Sequence, residues 1–150
     1  PGVGGHCISV DPWFLVGDYP RLAKVIDESM KTNDSQPEFI LNRIHEIMEQ
    51  NNIVDNRKVG LYGLTYKENV DDFRESPTLQ MLELRCYDPF LEKHKITKNQ
   101  YDNFNEFLND VDMVVIMVKH DHIKQNWDKM EGKIILDCFN ICPLKGVHHI

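Results

Sequence analysis

Apolar residues in the first third of the chain recur at spacings of three and four. In "DYPRLAKVIDESMKTNDSQPEFILNRIHEIMEQNN" they fall at Leu22, Val25, Ile26 and Met30, then at Phe39, Ile40, Ile44, Ile47 and Met48. Side chains at these intervals share one face of an α-helix, so the pattern predicts long amphipathic helix. Pro37 interrupts it. Proline lacks the N–H that the helix needs and clashes with the preceding turn, so a kink or a meeting of two helices is expected near residues 32–36. The polar "EQNNIVDNRK" then predicts a helix end and a linker.

From Arg57 the pattern changes to short apolar runs rich in β-branched residues. "KVGLYGL", "LRCYDPF", "DMVVIMVKHD" and "KIILDCFN" each predict a buried strand, with helical or loop segments between them. Strands that are apolar on both faces and alternate with helices imply a parallel sheet in an α/β layer fold. The expected organisation is an opening loop and helical segment over residues 1–54 and an α/β domain over 55–150. Ligands of open parallel sheets bind beyond the carboxyl ends of the strands, which here carry polar residues such as Lys67, Asp88, His120 and Asn140. Ser76 and Pro77 predict a helix start as N-cap and first helical residue. That helix would run only to Glu83, with a strand beginning at Leu84. So abrupt a join predicts that residues are missing between Glu83 and Leu84.

Composition narrows the chemistry. The chain is 41% hydrophobic and 27% charged, as globular proteins are, and its net charge is −7. That sign argues against a nucleic-acid backbone or an anionic membrane as partner. It still allows an anionic small ligand. The longest apolar run, Met113–Val118, falls far short of the ~20 residues that cross a bilayer. No signal peptide is visible, and four scattered cysteines suit reduced thiols in a cytoplasmic protein. Cys138 and Cys142 lack the second pair of a zinc site, and His120–His122 reads as a solvated loop, so no metal is expected.

Two stretches carry chemistry. In "PGVGGHCISVDPWFL" the glycines allow close backbone approach to a ligand and expose N–H groups. Cys7 would there be an accessible thiol, or simply a small buried residue after a loop. His6 is adjacent in sequence and badly placed as its base. "GLTYKENVDDFRESP" sets Lys67 and Arg74 at a strand end, suited to phosphate, carboxylate or sugar hydroxyl. Equally, Glu68, Asp71, Asp72 and Glu75 could neutralise both cations in a solvated loop.

Taken together, in this order, the two stretches resemble the UDP-glucose/GDP-mannose dehydrogenase family of nucleotide-sugar dehydrogenases. Its Gly-Gly-x-Cys-x-x-x-Asp pattern is matched by Gly4, Gly5, Cys7 and Asp11. Its second signature is matched by Gly63, Leu64, Lys67, Asp72, Arg74, Glu75, Ser76 and Pro77. "CYDP" at Cys86–Pro89 resembles the second strand of the UDP-binding domain. Within the family, His6 and Val10 stand closer to the UDP-N-acetylmannosamine branch than to the UDP-glucose branch.

The resemblance implies a Rossmann-like UDP-binding domain after a helical dimerisation segment, and NAD as cofactor in a four-electron oxidation of the sugar C6 to a uronic acid. It implies a homodimer built on the helix from Tyr19 to Met30. Cys7 matches the nucleophile and Asp11 the residue that organises a catalytic water or base. Gly2, Val3, Gly4 and Gly5 would lie against the sugar and diphosphate. Lys67 matches a substrate contact with Tyr66 beside it, and Arg74 matches a contact to the cofactor pyrophosphate. Alternatives are a UDP-N-acetylglucosamine or UDP-glucose 6-dehydrogenase, a non-catalytic nucleotide-sugar binding module, and a cysteine hydrolase. Two departures matter. No glycine fingerprint for NAD occurs, so the expected chain is a C-terminal part, inactive alone. Many relatives also carry a cation near the C-terminus where this chain has Phe139 and Asn140.

Overall fold

A computed structural model describes residues 1–91 and 95–150. Its centre is a six-stranded sheet among these residues: β1 (Val59–Tyr62), β2 (Arg85–Tyr87), β3 (Gln100–Tyr101), β4 (Met113–Ile116), β5 (Ile134–Asp137) and β6 (His148–His149). All pairings are parallel, in the order β3-β2-β1-β4-β5-β6. This is the Rossmann-like α/β sheet expected from the sequence, preceded by helices.

Alternation along the central strands divides the core in two. Val59 and Leu61 of β1, with Met113 and Val115 of β4, pack with Ile40, Ile44, Ile47 and Met48. Tyr62, Val114 and Ile116 point the other way, onto Phe104, Phe107 and Leu108 of α4 (Phe104–Asp110). A strand buried on both faces has no polar alternation left, which is why β1 and β4 read as continuous apolar runs. Gly60 fits the plan, since a Cβ there would stand 2.5 Å from the Phe107 ring.

Three helices precede the sheet: α1 (Asp11–Asp18), α2 (Lys24–Asp34) and α3 (Gln36–Gln50). The junction expected near residues 32–36 is real, with α2 and α3 meeting at Ser35. Pro37 lies in the first turn of α3, where a missing N–H costs nothing. On α3 the expected stripe is buried at Ile40, Ile44, Ile47 and Met48, whereas Phe39 is exposed. The stripe of α2 is not buried. The expected helix from Tyr19 starts only at Lys24, because the chain has already wound into α1, and the Tyr19 N–H donates to the Leu15 carbonyl (2.9 Å) to close it. Leu22 and Val25 are 85% and 80% exposed, and Met30 alone is buried on α2.

The segment after Ser76 also departs from expectation. Pro77–Met81 forms one 3-10 turn instead of an α-helix. Ser76 caps nothing with its side chain, and its hydroxyl donates instead to the Thr65 carbonyl (3.2 Å). From Met81 the chain turns through Leu84 straight into β2, so the β1–β2 crossover contains no α-helix. A last helix, α5 (Asp121–Lys124), follows β4. No helix among the described residues is long and apolar enough to cross a membrane.

Candidate functional site

The carboxyl end of β1 needs glycine. Gly63 has φ of 96°, and a Cβ there would lie 2.6 Å from that of Val118. Just beyond, the N–H groups of Leu64 and Thr65 both donate to Asp88 Oδ2 (2.7 and 3.1 Å), while Phe90 N–H donates to Oδ1 (2.8 Å). Asp88 has no exposed surface. Its carboxylate is neutralised by backbone dipoles instead of by solvent. Dinucleotide-binding sheets use an acidic group in this region for a ribose hydroxyl. Here the group is turned inward and spent on the fold.

The ends of β1, β4 and β5 enclose a cavity of about 240 Å³. Thr65, Tyr66, Lys67 and Glu68 line it from β1, Met117, Val118 and Lys119 from β4, Phe139 from β5, and Ser76, Pro77 and Thr78 from the 3-10 turn. Pro1 and Gly2 close its rim. Lys67 makes no ion pair among the described residues. Lys119 stands 3.6 Å from Glu68 Oε2 and 5.7 Å from the centre of the Phe139 ring. Glu68 Oε2 is buried and accepts no hydrogen bond among the described residues. The cavity therefore offers hydroxyls, Lys67, and Lys119 ion-paired with the Glu68 carboxylate.

The glycine loop docks on the second motif through backbone. Gly5 N–H donates to the Arg74 carbonyl (3.2 Å), and a Cβ on Gly4 would collide with the Glu75 carbonyl oxygen. Glu75 itself adopts the left-handed region, φ 52°. The Tyr66 ring lies 3.1 Å from where a Gly5 Cβ would be, so Tyr66 packs between the loop and the cavity. Asn33 of α2 grips Val3 twice: Val3 N–H donates to its Oδ1 (2.6 Å), and its Nδ2 donates to the Val3 carbonyl (3.0 Å). Nothing in the helical spacing marked Asn33 for this role.

Cys7 is exposed, and its carbonyl accepts from the N–H groups of Val10 and Asp11 (3.0 and 2.8 Å) as the chain enters α1. Asp11 is the first residue of that helix and is also exposed. Neither lines the cavity, which Gly2 and the 65–68 segment reach. The other thiols are unsuited to thiolate chemistry. Burial pushes Cys86 and Cys138 up to about 12 and raises Cys142 as well.

Arg74 is folded back on Asp72, with an Nη2–Oδ2 distance of 2.6 Å and its Nε donating to both oxygens (3.0 and 3.1 Å). Asp72 holds Arg74 above the usual arginine range, with smaller contributions from Tyr66 and Cys7. In return, the Arg74 side-chain and backbone hydrogen bonds lower Asp72 from 3.8 to about 2. A depressed carboxyl stabilises the fold above its unfolded value and loses that contribution as pH falls through the folded one. The Asp72 carboxyl carbon, followed by NMR, should therefore titrate near 2 and move back toward 3.8 in Arg74→Ala.

The histidines correct the sequence reading. His120 is not in a solvated loop: it is fully buried, with Nε2 3.3 Å from Asp88 Oδ2. The reason is that the 65–69 segment folds over the end of β4 and Phe90 covers the ring, 4.9 Å between centres. His122 Nδ1 faces the Tyr62 hydroxyl at 3.1 Å.

Residues 60–143 match the model of the UDP-glucose/GDP-mannose dehydrogenase family, UDP binding domain. A UDP-N-acetyl-D-mannosamine dehydrogenase of Methanocaldococcus jannaschii is 39% identical over 158 positions, which take in 94% of this chain and 35% of that protein. An NDP-N-acetyl-D-galactosaminuronic acid dehydrogenase of Ralstonia nicotianae is 29% identical, over 98% of this chain and 37% of its own length. The solved UDP-D-ManNAc dehydrogenase of Pyrococcus horikoshii superposes with a TM-score of 0.75 at 29% identity, over 99% of this chain and 38% of that one. A GDP-mannose dehydrogenase of Pseudomonas aeruginosa, at 21% identity and a TM-score of 0.81, shares the fold; the match covers 99% of this chain and 39% of that one. The chain thus spans just over a third of the length of the relatives it matches. The 158 aligned positions outnumber its 150 residues, so the first relative carries residues inside the matched stretch that have no counterpart here.

Proposed function

Because the chain belongs to the UDP-glucose/GDP-mannose dehydrogenase family, we propose that it is the UDP-sugar-binding, nucleophile-bearing part of an NAD-dependent dehydrogenase. The proposed substrate is UDP-N-acetyl-D-mannosamine, oxidised at C6. The observation that carries this reading is the docking of the glycine loop on the Arg74–Glu75 backbone and on Tyr66 of the two-lysine cavity, two residues before the exposed Cys7 thiol. The names of the relatives support an N-acetylated amino sugar over glucose.

Lys67 and Lys119 would take the diphosphate, and of the glycine loop Gly2 at the cavity rim would lie against it. This sheet does not fit NAD, since Asp88 is spent and the turn after Gly63 lacks further glycines. NAD supplies the hydride acceptor of the complete enzyme, and Arg74 is this chain's proposed contact to it. Once the C6 alcohol has lost a first hydride to NAD and its hydroxyl proton to solvent, Cys7 would add to the resulting aldehyde as a thiohemiacetal. Loss of a hydride from that adduct leaves a thioester. Water, placed by Asp11, cleaves it to the carboxylate and returns the thiol. Exposed Leu22, in the turn before α2, and Val25 of α2 are the proposed homodimer face, and the compartment is proposed to be the cytoplasm.

The test follows NADH with the complete enzyme on three substrates. UDP-N-acetylmannosamine should yield two NADH per sugar, well ahead of UDP-N-acetylglucosamine and UDP-glucose. The 150-residue chain alone should yield none. No NADH from any of the three would end the proposal; a preference for another sugar would move it to that epimer.

Phe139 makes a narrower test possible, standing where many relatives have a cation. Lys119 is proposed to reach the same space from β4. Lys119→Met should raise KM for the UDP-sugar roughly tenfold, in the range of one charge-assisted contact. An unchanged KM would remove Lys119 from the site.

A further inference from the structure

Nothing in the proposed chemistry uses the buried pair Asp88 and His120, yet the pair sits under the one segment that presents Lys67. The Asn69 N–H donates to His120 Nδ1 (2.9 Å), so that nitrogen is bare and the ring proton is on Nε2. Nε2 faces Asp88 Oδ2 and Thr65 Oγ1, each at 3.3 Å. The Thr65 hydroxyl in turn donates to the Lys67 carbonyl (2.8 Å). One imidazole therefore ties both ends of the segment from Thr65 to Asn69, with Lys67 between them.

The far end is held a second time. Asn69 adopts the left-handed region, φ 58°, and its side chain pairs with Asp121, the neighbour of His120. Its Nδ2 donates to Asp121 Oδ2 (2.9 Å), and the Asp121 N–H donates to its Oδ1 (3.0 Å). The ring has no freedom to follow a moving loop, being fully buried between Phe90 (4.9 Å) and Tyr62 (5.9 Å). Lys67 has no ion pair of its own among the described residues. Its place in the cavity is therefore set by its backbone.

We propose that His120 is a positioning residue: it fixes the Thr65–Asn69 loop so that Lys67 meets the diphosphate of the ligand. This rests on the UDP-sugar reading above. Asp88 completes the device by orienting the ring from below, through the same oxygen that holds the Leu64 and Thr65 N–H groups.

The test is a double-mutant cycle on the complete enzyme, with UDP as the probe and calorimetry as the readout. His120→Phe keeps a ring but removes the acceptor and the donor. It should weaken UDP binding about tenfold in the wild-type background and less than about twofold in Lys67→Met, because the contact it positions is already gone. His120→Gln, whose amide oxygen can accept from Asn69, should recover part of the loss. Hydrogen exchange should speed up at Asn69 in His120→Phe and stay unchanged in β1. Equal losses in both backgrounds, or no loss, would overturn the proposal and leave UDP binding standing. Wild-type enzyme that fails to bind UDP would instead remove the UDP-sugar reading, and this proposal with it. Should His120→Phe not fold, the wild-type protein still decides: nitrogen NMR must find the His120 proton on Nε2, and a proton on Nδ1 overturns the arrangement.

Discussion

Serine in place of Cys7 should cut NADH formation by the complete enzyme at least about a thousandfold, with UDP affinity changed less than about threefold. The asymmetry follows from geometry. Cys7 stands outside the cavity lining, so its loss leaves Lys67, Lys119 and the hydroxyls in place. The other three thiols are poorly suited to take over, since burial holds Cys86 and Cys138 near 12 and raises Cys142 as well. Serine is nearly the same size but is a far weaker nucleophile at neutral pH, so the thioester cannot form. Turnover that survives the change would mean a binding module whose chemistry lies elsewhere.

Asp88→Ala should be the most destabilising single change in the sheet, costing on the order of 3–5 kcal/mol. The carboxylate, itself without exposed surface, receives three backbone N–H groups and the His120 ring. Alanine would leave the buried Leu64 and Thr65 N–H groups unpaired and take from His120 one of its two acceptors. Against a total stability of roughly 5–15 kcal/mol, such a loss brings the domain close to its unfolding threshold. Urea unfolding of the complete enzyme reads it as a fall in midpoint. A loss below about 1 kcal/mol would show that solvent or rearranged backbone replaces the carboxylate.

The elements that read well from sequence are those whose environment the chain itself supplies. The stripe of α3 meets β1 and β4, and the two strands meet helices on both faces, so spacing and burial agree. The expected stripe from Leu22 to Met30 is the counterexample: Leu22 falls in the turn before α2, and both it and Val25 stay exposed. β3 and β6 are two residues each, too short for any alternation to register. The 76–83 segment misled for another reason. Ser76 and Pro77 look like a helix start, but the serine hydroxyl is drawn to Thr65 across the cavity.

At the site, the two motifs were legible and their meeting was not. Glycine content marks a loop that can approach something closely; it does not reveal that the something is the Glu75 carbonyl. Polar residues whose partners lie far along the chain left no local mark. Asn33 reaches back 30 positions to Val3, and His120 reaches 51 to Asn69. Such pairs exist only once the sheet has brought the strand ends together.

The contact of Gly4 with Glu75 also bears on motion. Where two backbones touch with no side chain between them, neither can slide or tilt without a collision. The thiol-bearing loop is held from one side by Arg74 and Glu75 and from the other by Asn33, and it is therefore expected to move together with the strand ends. For the enzyme proposed above, the expectation is that a hinge opening the site for exchange lies outside this assembly, with Cys7 moving together with the cavity.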